Sequence, residues 1–204
     1  MDESSFTHGY GDGQIEIKDL GDNAVYVKIK SFTLDLEDKF IEKLDKIENP
    51  KEKILVIDLR DNRGGYILTA DAILDYLLPE CLIYYYTYFW NGYTVSPYSA
   101  ADYVEFKQIL ILVNENTANS AELLTLGLKK HLKNTIVIGR TTFGENTSHI
   151  VYHNEEEGFA VYLASFYWNV EGQNLTESGI TPDIVVKNDS DYMKEVEKLL
   201  QLAR

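Results

Sequence analysis

Ile54-Leu55-Val56-Ile57-Asp58-Leu59-Arg60-Asp61-Asn62-Arg63-Gly64-Gly65 opens on four consecutive aliphatic residues and closes on two glycines. A short, unbroken apolar run marks a strand covered on both faces. Asp61, Asn62, Gly64 and Gly65 then break the chain before a run at helical spacing from about residue 68 to 78. Strand, glycine turn and helix therefore follow one another within some 25 residues, as a layered α/β unit requires.

The same arrangement recurs downstream. A second buried run, 109–113, leads through Asn114-Glu115-Asn116-Thr117-Ala118-Asn119 into a helix expected over about 120–132. A third, 135–138, is followed by Gly139-Arg140-Thr141-Thr142-Phe143-Gly144-Glu145. Upstream, 14–18 and 24–30 alternate apolar with polar residues around a turn at Gly21, Asp22 and Asn23, which predicts a hairpin. Leu36, Phe40, Ile41, Leu44 and Ile47 predict a helix over 35–47, stopped by Asn49-Pro50. Strands are expected near 83–90, with a turn at Asn91-Gly92, near 149–153 and over 158–168, and a last helix from about 191. Antiparallel pieces at both ends argue against a purely parallel, doubly wound sheet. The expected organisation is a flexible segment, 1–13, followed by a single core domain, 14–204.

The chain has 204 residues, long enough to bury roughly 70% of its unfolded surface without staples. With 19 basic against 33 acidic residues it carries a net charge of -14, which repels a phosphate backbone and an anionic membrane surface. No nucleic-acid partner is expected, and no window has the roughly 18 consecutive apolar residues of a membrane span. The acidic, polar start, Met1 to Tyr10, lacks the basic and apolar parts of a secretory leader, so either a cytoplasmic protein or part of a longer chain is expected. Cys81 is the only cysteine, which excludes an intrachain disulfide and a cysteine-based zinc site. Glu155, Glu156 and Glu157 cannot all face one ion and read as a solvated turn, so neither metal nor cofactor is expected. The aromatic run from Tyr84 to Trp90 reads as half core and half surface, its outward side open to an extended peptide.

Chemistry is expected at the three strand-to-helix junctions. Paired glycines at 64 and 65 can present free N–H groups to an anion, although the same turn serves as a plain connection. Small hydroxyl residues at a helix start, Thr117 and Ser120, fit a nucleophile beside helix amides that stabilise an oxyanion; they are also ordinary helix caps.

Together and in this order the junctions resemble the catalytic core of the tail-specific, or carboxyl-terminal processing, serine peptidases. Tyr26, Ile29 and Phe32 match a Tyr-x-x-Ile-x-x-Phe strand, and residues 58–65 match Asp-Leu-Arg-x-Asn-x-Gly-Gly. Residues 117–122 match a Thr-Ala-Ser-Ser-Ala-Glu-like motif with one change. Residues 139–144 match Gly-x-x-Thr-Phe-Gly, and 179–183 match Gly-Ile-x-Pro-Asp. The resemblance runs from about 14 to 186 and implies a Clp-protease/crotonase-like α/β fold, no cofactor and a polypeptide as substrate or ligand. It implies an oxyanion site at an amide of Gly64 or Gly65 and at that of Ser120, with Glu122 as the motif's acidic residue. Tyr66, Thr142 and Phe143 would face the substrate. Family members are often extracytoplasmic, and the family's PDZ module has no room before residue 54.

Two positions depart from the pattern. The nucleophile position is Asn119, whose carboxamide forms no acyl-enzyme. The Lys that often follows Phe-Gly is Glu145, and a carboxylate is a far weaker base than a neutral amine. Some relatives use a His, for which His8 is the first counterpart; His131, His149 and His153 read as solvated or hydrogen-bonded side chains. The expectation is a catalytically degenerate homologue that binds polypeptide. The alternatives are an active serine endopeptidase using Ser120 with a His or other base, in which a one-residue shift turns the side chain by about 100°, and an inactivated form of a working enzyme.

Overall fold

A computed structural model describes residues 14–79, 85–89, 92–95, 103–173, 175 and 178–203. His8, Cys81, Tyr84, Trp90 and Asn91 lie outside them. β1 (Ile15–Asp19) and β2 (Ala24–Ile29) form the expected hairpin, followed by α1 (Leu36–Leu44), β3 (Ile54–Asp58) and α2 (Ile67–Leu77). β4 (Tyr86–Phe89) and β5 (Gly92–Val95) precede β6 (Gln108–Val113), α3 (Ser120–His131) and β7 (Thr135–Gly139). The chain continues through β8 (Thr147–Asn154), β9 (Phe159–Asn169), β10 (Ile184–Val185) and α4 (Tyr192–Leu202).

Six strands make one sheet in the order β1-β2-β3-β6-β7-β10, parallel except for β1 at the edge. The three buried runs are the neighbours β3, β6 and β7. Alternation divides their side chains between two cores. Val27, Leu55, Ile57, Ile109, Ile111 and Val137 face one side, where Phe40 of α1, Leu74 of α2 and Leu124 of α3 cover them. Ala24, Ile54, Val56, Leu110, Leu112 and Ile138 face the other, against Tyr192, Val196 and Leu200 of α4. The result is a mixed α/β layered fold, helix on sheet on helix. Each fully buried aliphatic side chain of β3 contributes about 1.5–3 kcal/mol, so the strand that carries the glycine turn is also an anchor of both cores.

A second sheet, β5-β4-β9-β8, is antiparallel throughout. Glu155–Glu157 lie in the exposed turn joining β8 to β9, as expected. Of the aromatic run, Tyr85 is buried, Tyr86 and Tyr88 are half-buried and Phe89 is exposed. One helix is shorter than its spacing suggested: α1 ends at Leu44 rather than near Ile47. Asn49 has φ +51° and leads into a single 3-10 turn at Pro50, because a residue before proline is kept out of the right-handed helical region. Among the described residues no helix is long and apolar enough to cross a membrane.

Candidate active site at the carboxyl ends of the parallel strands

Because β3, β6 and β7 run parallel, the segments that follow them emerge at one end of the sheet. The first is held by buried polar groups. Asp58 is fully buried and accepts hydrogen bonds from the Tyr26 hydroxyl at 2.6 Å, the Arg60 backbone N–H at 3.0 Å, and Arg60 Nε and Nη2 at 2.8 and 2.5 Å. Burial, then the Asp58 carboxylate, pushes the Tyr26 hydroxyl up in pKa, which keeps it a donor. Arg60 also lies over the Tyr192 ring, 4.6 Å from its centroid, tying α4 to the turn. Asp61 accepts hydrogen bonds from the Asn116 and, second, the Asn114 side chain, which hold its carboxyl below the usual range.

Asn62 shapes the glycine turn. Its Nδ2 donates to Ile29 O at 2.9 Å, and its Oδ1 accepts from Gly64 N–H at 2.8 Å. Gly65 lies beside Phe32: Phe32 N–H donates to Gly64 O and Tyr66 N–H to Phe32 O. At φ +136° a β-carbon on Gly65 would stand 2.1 Å from Phe32 O. One on Gly64, at φ +95°, would stand 2.9 Å from Asn119 Cβ and 3.0 Å from Ser120 N. Glycine is required at both positions, and the turn packs directly against the start of α3.

Asn119 precedes that helix with φ +52° and ψ -118°, a conformation that strains a residue with a side chain and is tolerated where the surroundings enforce it. Its N–H donates to Glu122 Oε2 at 3.1 Å, and its Nδ2 donates to Thr147 O at 2.6 Å. The Ser120 side chain is fully buried, and its hydroxyl donates to Gly65 O at 2.9 Å. The Gly64 N–H is taken by Asn62. The N–H groups of Gly65 and Ser120 donate to no acceptor among the described residues. Two free amides, one at a helix start, therefore stand beside Asn119.

Glu122 locks the third segment to this helix. Fully buried, it accepts from the Thr142 hydroxyl, from Gly144 and Glu145 N–H at 2.8 Å each, and from Asn119 N–H. Burial pushes its carboxyl up while the four donors pull it back. Thr142 is buried, and its hydroxyl also accepts from Ile180 N–H at 2.7 Å, so it faces the protein on both sides. Phe143 and Tyr66 are 63% and 43% exposed and rim the site. Glu145 is half-buried, and its carboxylate meets no cation among the described residues.

The structure thus gathers Gly64, Gly65, Tyr66, Asn119, Ser120, Glu122, Thr142, Phe143 and Glu145 at one end of the sheet. His131 closes α3 at the far end of that helix, and His149 and His153 are exposed on β8. No group of acidic, His or Cys side chains among the described residues could hold a metal. Sequence reasoning missed two contributors. Asn62 carried a signal, an Asn two residues before a glycine, the setting for a side chain that caps a turn amide. Thr147 carried none, because its carbonyl meets Asn119 across 28 residues of chain.

Residues 23–186 match the model for peptidase family S41. The carboxy-terminal-processing protease of Bartonella bacilliformis is 30% identical over 168 residues, covering 79% of this chain and 38% of that protein. The carboxyl-terminal-processing protease of Synechocystis is 26% identical over 175 residues, 85% and 40% of the two chains. The chain thus spans about two fifths of the length of these relatives. Among solved structures, a lipoprotein from Streptococcus agalactiae superimposes with a TM-score of 0.71 at 21% identity, over 93% of this chain and 70% of that one. The photosystem II D1 C-terminal processing protease does so with a TM-score of 0.61 at 21% identity, over 80% and 42%. The match covers every junction of the site, and the chain belongs to peptidase family S41.

Proposed function

We propose that this chain is a non-hydrolytic member of the family that binds polypeptide segments at the glycine turn. The observation that carries the reading is the pairing of two free amides, Gly65 and Ser120, with Asn119 where the family pattern has its nucleophile. The amides can donate hydrogen bonds to a peptide carbonyl or carboxylate oxygen, helped by the positive end of α3. Among the described residues no adjacent side chain is poised to attack it. The carboxamide nitrogen of Asn119 has its lone pair delocalised and is directed at Thr147 O.

Ser120 is a poor substitute: it is buried, and its hydroxyl donates to Gly65 O, with no base beside it among the described residues. Glu145 lacks the proton-accepting strength that a neutral Lys would have at this position. In this reading Thr142 and Glu122 are supports that position the amides, while Tyr66 and Phe143 contact the bound segment. The net charge of -14 favours basic peptides through attraction that weakens with salt.

Fluorescence anisotropy with acidic, neutral and basic pools of extended peptides tests the proposal, with cleavage followed on the same samples by mass spectrometry. Basic peptides should bind best and remain intact. Equal or absent binding of all three pools refutes peptide binding; turnover of any pool refutes the non-hydrolytic assignment.

A further inference from the structure

Asn119 and Ser120 are joined in a geometry that peptide binding does not require. In an L-residue, Cβ and N stand about 120° apart around the Cα–C bond. At ψ -118°, therefore, the bond from Asn119 C to Ser120 N nearly eclipses Cα–Cβ. That is the arrangement of an imide ring, Cγ–Cβ–Cα–C–N, closed by Ser120 N on Asn119 Cγ. A residue with a side chain rarely visits it at φ +52°. Asn119 Oδ1 lies 3.3 Å from Ser120 Oγ, which keeps the carboxamide on the Ser120 side. The Ser120 N–H donates to no acceptor among the described residues, so the attacking nitrogen gives up no hydrogen bond. Asn49 is the other described asparagine with positive φ. Its ψ is +55°, and it is followed by Pro50, whose nitrogen carries no hydrogen to lose.

We infer that Asn119 is a site of self-modification, closing onto Ser120 N as a succinimide that water opens to aspartate or isoaspartate. Ser120 N bonds to Asn119 Cγ, the Cγ–Nδ2 bond breaks, and the proton of the Ser120 amide leaves with Nδ2 as ammonia. One water molecule from solvent then opens the ring. Addition at Cγ breaks the new bond and leaves an aspartate side chain. Addition at the backbone carbonyl carbon breaks the original peptide bond, so the chain runs on through Cγ and the α-carboxylate is free. During closure negative charge develops on Oδ1, within reach of the Ser120 hydroxyl. Closure removes one side-chain hydrogen bond, from Asn119 Nδ2 to Thr147 O at 2.6 Å. The imide nitrogen has no hydrogen, and the first position of a helix tolerates that, as its preference for proline shows. Either product adds a carboxylate beside the amides of Gly65 and Ser120.

The unaltered chain, kept folded in neutral buffer for days and then digested, tests this by peptide mass spectrometry, with Asn91 mapped separately. Asn119 should convert about tenfold or more faster in the folded chain than in the same chain unfolded by guanidinium chloride, because folding supplies the ring geometry in advance. Hydroxylamine, which attacks imides, should cut the folded chain between 119 and 120. Conversion should quicken from neutral to mildly alkaline buffer, since Ser120 N must lose its proton. Ser120→Pro, which removes that proton at a position proline favours, should stop it. If circular dichroism shows that this variant has lost its fold, the hydroxylamine cut is read in its place. An Asn119 that keeps its carboxamide, or that converts no faster folded than unfolded, overturns the inference. So does conversion that Ser120→Pro leaves unchanged in a folded protein, or a folded chain that hydroxylamine leaves whole. Cleavage after Asn119 without hydroxylamine would mean that Nδ2 had attacked the backbone carbonyl instead, and overturns it as well. No arm reads peptide binding, so the outcome is independent of the proposed function.

Discussion

One half of the site is built from backbone and the other from side chains, and the two depart differently from the family pattern. The backbone half comprises the glycine turn and the first amide of α3. There Asn62 fixes Gly64, Phe32 fixes Gly65, and Glu122 joins α3 to the loop at residues 142–145. The side-chain half is Asn119 and Glu145. One makes a hydrogen bond to Thr147 O, and the other meets no cation among the described residues. The lesson concerns coupling. The groups that position the amides are buried and also join the elements of the fold. At 119 the side chain also ties α3 to β8 through Thr147 O, whereas the Glu145 carboxylate makes no ion pair among the described residues.

The comparison is broken most severely at Glu122. Glu122→Ala would leave four donors facing no acceptor, two of them buried and two half-buried. The expected loss is about 3–5 kcal/mol, or roughly 10 °C in Tm, measured by urea and thermal denaturation. A change near zero would mean that the backbone half is not held by this carboxylate. Gly65→Ala comes next: the added β-carbon would collide with Phe32 O, and a loss of about 2–4 kcal/mol is expected together with any peptide affinity.

The contrast between satisfied and unsatisfied groups extends to a smaller effect on α2. Asp71 is mostly buried, with Oδ1 lacking a partner. Burial pushes its carboxyl up to about 7, with Asp75 adding to the rise and the Tyr85 hydrogen bond opposing it. The unfolded chain ionises near the ordinary carboxylate value of about 4, so the contribution is complete below that pH and is lost as pH rises towards 7. Asp71→Asn should remove this slope and raise stability at pH 8 by about 1–2 kcal/mol. Parallel stability curves for the two proteins between pH 4 and 8 would refute the assignment.

Much of this was legible in the chain. Short apolar runs followed by Gly or Asn clusters located β3, β6 and β7 and the segments after them, because a strand covered on both faces has no polar alternation to confuse it. Motif order then located Gly64, Gly65, Asn119 and Glu122. What stayed hidden was non-local. Which glycine amide is free depends on the Asn62 side chain, and the Thr142 hydroxyl turns inward because Glu122 and Ile180 meet it there.

The central claim is that the amides remain while the nucleophile and base do not. A fluorophosphonate probe, read by intact-mass and peptide spectrometry, tests it most directly on three proteins: the unaltered chain, Asn119→Ser, and Asn119→Ser with Glu145→Lys. The unaltered chain should stay unmodified, Ser120 included. The single variant should be near background, because a hydroxyl without its base lacks a factor of about 10²–10⁴. The double variant should be modified at position 119, with the two changes strongly non-additive. Stoichiometric modification of Ser120 in the unaltered chain, abolished by Ser120→Ala, would contradict the claim and make this a working serine peptidase.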